Sequence, residues 1–73
     1  MSIGMETPGK RLRYIRTEAK LSQRKLAEIM GVGYNNVGLL ERGEQRLQAE
    51  SLRLMFEAAL IDRDDLAWIV LGD

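Results

Sequence analysis

The stretch SQRKLAEIMGVGY, Ser22 to Tyr34, fixes more about the fold than any other part of the chain. Ser22 is a residue type that caps helix N-termini, Leu26, Ala27, Ile29 and Met30 form an apolar stripe, and Gly31 suits the left-handed position that ends a helix. That helix is barely two turns long. Only Val32 and Gly33 then separate Gly31 from Tyr34, where another helical pattern begins. A link this short does not let two helices fold back antiparallel with ease, so they should cross at a large angle.

Residues placed at about 100° steps after Tyr34 put Val37 and Leu40 on one side of this third helix, flanked by Asn36 and Glu41. The opposite side centres on Asn35, Gly38, Leu39 and Arg42. The buried side is conventional, whereas the exposed one carries a glycine that costs about 1 kcal/mol relative to alanine inside a helix. Close approach to nucleic acid is one reason to accept that cost; an inherited weakness in a short helix is the other.

The remaining punctuation predicts five helices in all. Thr7 as N-cap and Pro8 at the first helical position start the first, along which Leu12, Ile15 and Ala19 face the core. Arg16, four residues after Leu12, is forced toward that same face and needs a partner. Gly43 ends the third helix. A fourth is expected near Glu50 to Leu60, with Leu52, Met55, Phe56, Ala59 and Leu60 at core spacing. Asp62 and Asp65 then resemble a capping box for a fifth, Arg63 to Leu71.

This fifth helix has a surplus of apolar residues. Leu66, Ile69 and Val70 suffice to face a core, yet Ala67, Trp68 and Leu71 make a second apolar face. A chain of 73 residues supports one core of only a few kcal/mol net stability, so a symmetric partner at Trp68 and Leu71 is the better explanation. The bland alternative is that Trp68 caps the core beside the fourth helix.

Cysteine and histidine are both absent, which removes disulfides, thiol or imidazole catalysis and the usual zinc ligands. No acid and base stand at a convincing catalytic spacing, so the chain is not expected to be an enzyme, and no cofactor, metal or small-molecule substrate is implied. No apolar run approaches the roughly 18 residues of a membrane span, and the N-terminus lacks a signal peptide's apolar segment. The expectation is a cytoplasmic protein with a flexible tail over 1–6 and one domain over 7–73. Net charge is zero but unevenly spread: residues 1–46 hold nine Lys/Arg against five acids, and residues 47–73 two against six. Such polarity would turn one end of the domain toward a polyanion.

With that layout, the stretches LRYIRTEAKLSQRKLAEIMGV, ERG and DDLAWIVLG resemble, in order and spacing, the helix-turn-helix family of phage Cro and repressor proteins. The resemblance covers about Lys10 to Gly72. It implies an all-α, compact five-helix domain that binds double-stranded DNA as a homodimer, its third helix in the major groove, most members being transcription repressors. It also implies that Tyr34, Asn35 and Leu39, with Asn36 beside them, read bases. Ser22 and Gln23 would contact phosphate at the start of the second helix, as would Arg42 and Arg46 after the third, and the basic run from Lys10 to Lys25 adds Arg24 as a further phosphate candidate. Arg16 and Glu41 match a pair that the family uses as an internal ion pair.

The residues themselves add chemistry to those positions. Asn35 offers a donor and an acceptor that match adenine N6 and N7, and Leu39 could meet a thymine methyl. Tyr34 could serve phosphate or sugar, or pack on the second helix. At least one of Arg11, Arg24 and Lys25 should lie within a Debye length, about 8 Å, of phosphate. Gly33 stands where a Ser or Thr cap is usual, and Gly38 and Leu39 where polar readers are common. These departures keep open an alternative, a protein-interaction module of antitoxin or antirepressor type.

Overall fold

The computed structural model describes residues 7–72; the expected tail over 1–6 and Asp73 lie outside the described residues. These form α1 (Pro8–Glu18), α2 (Gln23–Met30), α3 (Tyr34–Glu41), α4 (Ala49–Glu57) and α5 (Arg63–Leu71), with no strand among them. The starts of α1, α2 and α5 follow local capping chemistry, whereas α3 and α4 begin without a side-chain cap. Thr7 Oγ1 accepts from the Lys10 amide at 3.2 Å, and Ser22 Oγ from that of Lys25 at 3.0 Å. Asp62 and Asp65 close a reciprocal capping box at 2.8 and 3.0 Å.

Gly31 ends α2 at φ +73°, a conformation that would strain a side-chain-bearing residue, and turns the chain into α3. α2 packs on α3 and α4, α1 on α3 and α5, and α4 on α5. Together they enclose Leu12 and Ile15 of α1, Leu26, Ala27 and Met30 of α2, Val37 and Leu40 of α3, Leu52 and Met55 of α4, and Ile69 of α5. Burial of these side chains, the larger of which each contribute about 1.5–3 kcal/mol relative to exposure, is what holds such short helices together. Ser51 adds a tie, its Oγ donating to the Met30 carbonyl at 3.2 Å where α2 ends.

The fourth helix is shorter than its sequence pattern suggests. It ends at Glu57 rather than near Leu60, and Ala59 takes φ +61° to turn the chain sharply. That turn drives Ile61 into the core, at 3% exposure, and leaves Phe56 and Ala59 on the surface instead of inside. Leu60 packs only partly against the core. Val70, expected to face inward, is likewise 52% exposed, because Ile69 alone occupies the inward position of α5 while Leu66 lies at the core's edge.

Two features of α1 lie outside the sequence expectation. Gly9 sits so close to α3 that a β-carbon would stand 2.1 Å from the Leu40 carbonyl oxygen. Arg11, counted among residues near phosphate, is buried, and its Nη1 donates to the Ile69 carbonyl at 3.2 Å. Its guanidinium lies against Gly72, where it satisfies a helix end rather than facing solvent.

Candidate nucleic-acid interface

The α2–α3 pair carries its polar residues on one outer surface because its apolar stripes are spent on the core. Tyr34, at the first position of α3, is half exposed. The Arg24 guanidinium carbon stands 4.6 Å from its ring centroid, a cation–π contact across the turn. Tyr34, Asn35, Gly38 and Leu39, together with Gln23 of α2 and Arg42, line a shallow depression of about 280 Å³. Asn35 is exposed and Leu39 half-buried. Three of the four expected base readers thus share one concave surface.

Asn36 does not join them. It is half-buried, and its Oδ1 accepts from Gln45 Nε2 at 3.4 Å in the α3–α4 connection. Gly38 is buried although it was placed on the open side, because Arg42 and Gln23 lie over it.

Arg42 follows α3 as its C-cap residue and pairs with Glu44 at 2.6 Å, with both side chains more than half exposed. An exposed pair of this kind stabilises by about 0–1 kcal/mol and is easily exchanged for another anion. Arg46 is exposed but belongs to a different depression, of about 440 Å³, bordered by α1, α5 and the α3–α4 connection. Ser22 is exposed while its hydroxyl oxygen caps α2. Lys25 faces Glu28 at 3.5 Å on the surface.

Beneath this surface, α3 is held by a polar cluster. Arg16 donates through Nε to Glu41 Oε2 at 2.6 Å and through Nη2 to Oε1 at 3.2 Å, with side chains 14% and 5% exposed. Its Nη1 donates to the Leu21 carbonyl at 2.9 Å. One guanidinium therefore fixes both the end of α3 and the loop that delivers α2. Gln23 joins the cluster, donating from Nε2 to Glu41 Oε1 at 3.2 Å. No sequence pattern announced that bond, since an amide at a helix start is the same residue type whether it serves a phosphate or an internal carboxylate. Every buried side-chain polar atom among the described residues has a partner.

α4 and α5 each carry two acids against one arginine. Arg53 pairs with Glu50 and Glu57 along α4, and its hydrogen bond, with its charge second, holds the Glu50 carboxyl below its ordinary value. On α5, Leu71 is 71% exposed, while Trp68 is half-buried and meets the Tyr14 ring edge-on at 5.6 Å between centroids. Trp68 thus packs on α1 through Tyr14 and lies against the edge of the core. No group of three or more acidic, histidine or cysteine residues among the described residues could hold a metal ion. No helix among them is long and apolar enough to cross a membrane.

A family model described as helix-turn-helix matches residues 12–66. No curated protein and no solved structure matches the chain.

Proposed function

The chain belongs to the helix-turn-helix family of Cro- and C1-type DNA-binding regulators, and we propose that it is a repressor binding a palindromic operator as a homodimer. The observation that carries this reading is the grouping of Tyr34, Asn35, Leu39 and Arg42 around one depression on α3. Asn35 reads adenine through its paired donor and acceptor, and Tyr34 and Leu39 supply ring and apolar contacts at base edges. Arg24, Arg42 and Arg46, with Ser22 and Gln23, hold phosphate and set the register. Asn36, turned toward Gln45, serves the shape of the α3–α4 connection instead of the bases.

Repression follows from occupancy alone, so no catalytic group is needed: the protein covers a short site and excludes polymerase. A dimer doubles the contact, because two recognition helices about 34 Å apart meet successive major grooves. Trp68 and Leu71, i and i+3 on α5 beside Tyr14, form its interface.

Selection from random duplexes, read by sequencing, tests the reading directly. A twofold-symmetric consensus is expected; an enriched site without symmetry would remove the homodimer. The second reading, a protein-interaction module, draws on the half-buried apolar Leu39 in the middle of the face and on the zero net charge. Salt separates the two. Phosphate binding makes log affinity fall steeply with log salt, while an apolar protein interface responds little.

A further inference from the structure

Base reading makes no use of the depression bordered by α1, α5 and the α3–α4 connection. It holds about 440 Å³, inside the range of about 300–1,000 Å³ usual for small-molecule sites. Its lining is of two kinds. Leu40, Leu52 and Ile69 of the core border it, joined by Val70, which the core leaves 52% exposed. The polar part comes from Arg46 in the connection and Thr7 before α1. Arg46 is the one charged residue among the described residues that line the depression. Arg16, Arg42 and Arg53 are each held by carboxylates, whereas Arg46 makes no ion pair among the described residues. The Thr7 oxygen accepts from the Lys10 amide, which leaves its hydroxyl proton to donate elsewhere.

We propose that this depression binds a small apolar monocarboxylate, its chain on Leu40, Leu52 and Val70 and its carboxylate on Arg46. A carboxylate is the head group because a guanidinium meets it in a two-pronged fork. The charges also match. One negative charge neutralises Arg46, while a dianion would leave charge uncompensated beside an apolar lining and a neutral ligand would leave the guanidinium unpaired. Arg46 is assigned to phosphate as well, so a bound carboxylate competes with DNA for the same group. Occupancy then weakens DNA binding, and DNA weakens carboxylate binding by the same factor. This competition rests on the DNA-binding reading; the carboxylate site does not.

Octanoate and neutral octanamide, titrated into the full chain at constant ionic strength and followed by methyl NMR, test the site. Octanoate should shift the methyl signals of Leu52, Ile69 and Val70 saturably, and octanamide should bind about tenfold more weakly, the worth of one charge-assisted hydrogen bond. Arg46→Ala should erase that difference. Val70→Asp, at a position exposed enough to leave the core intact, should weaken octanoate and spare DNA affinity. On the duplex recovered by selection, saturating octanoate should weaken the parent by about fivefold and leave Arg46→Ala unchanged. Three results would each overturn the site: octanamide binding as tightly as octanoate, no saturable shift at these methyls, or shifts that follow protein concentration and so place a second copy in the depression. Octanoate that binds there without weakening the DNA complex would overturn the competition. A parent that binds no duplex removes the DNA reading and leaves the carboxylate site to stand on the titration alone.

Discussion

Gln23, the first residue of α2, donates to Glu41, the last residue of α3, on the same carboxylate oxygen that accepts from Arg16 Nη2, both at 3.2 Å. The face assigned to DNA and the buried ion pair are therefore one hydrogen-bonded unit. Three elements converge on that carboxylate: α1 through Arg16, α2 through Gln23 and α3 through Glu41 itself. The angle between α2 and α3 is set by polar geometry as well as by apolar packing, which matters because a recognition helix misaimed by an ångström loses its base contacts.

Glu41→Ala should destabilise the domain by about 3–5 kcal/mol, because it strands the mostly buried Arg16 charge and removes the acceptor of Gln23. Urea unfolding measures this. A loss below about 0.5 kcal/mol would mean that water compensates the pair as it does at a surface.

Gly9→Ala should cost about 1–3 kcal/mol or more, although alanine normally stabilises a helix. The added carbon would stand 2.1 Å from the Leu40 carbonyl oxygen, and backbone cannot step aside as a side-chain tip can. α1 would have to lift from α3, loosening the Arg16–Glu41 contact with it. Thermal unfolding of Gly9→Ala beside the parent checks the prediction; equal or higher stability would show that the helix interface yields freely.

The starts of α1, α2 and α5 were legible in the sequence because capping is local: Thr7, Ser22 and Asp62 each satisfy amides within three residues. The end of α4 was not, since Ala59 adopts a left-handed conformation for the sake of Ile61, and apolar periodicity runs straight through both. The partner of Arg16 was legible only through family resemblance, its need for one through helical geometry. Gln23's bond to Glu41 and Gly9's contact with Leu40 depend on elements far apart in the chain, and nothing local distinguishes them. Asn36 shows the same limit, because its partner Gln45 lies beyond the helix end.

Asn35→Ala should cost about 1–3 kcal/mol on the selected operator and little on random DNA, because base contacts carry the sequence information. Arg42→Ala and Arg46→Ala should weaken both alike and each lower the salt slope by about one unit. Titrations at several salt concentrations resolve the three. Equal losses on both DNAs for Asn35→Ala would move it from reader to positioner. An unchanged slope for Arg46→Ala would fit its place in the separate depression beside α1 and α5 and remove it from the phosphate contacts.

Leu71→Glu should convert the proposed dimer to monomers without unfolding the chain. Leu71 is 71% exposed, so it contributes little to the single-chain core, and a charge placed there leaves that core intact. Trp68, one turn earlier, is half-buried and meets the Tyr14 ring edge-on. Two copies of this strip related by a twofold axis would bury tryptophan and leucine together at the interface centre, where tryptophan is enriched in binding hot spots. A glutamate there would be desolvated opposite its own symmetry mate, and like charges brought together without a partner are costly. Trp68→Ala acts on both the interface and the Tyr14 contact, so it should lower stability as well as association, whereas Leu71→Glu should lower association alone. Sedimentation equilibrium with circular dichroism on both variants separates these effects. If folded Leu71→Glu associates as well as the parent, the twofold surface lies elsewhere.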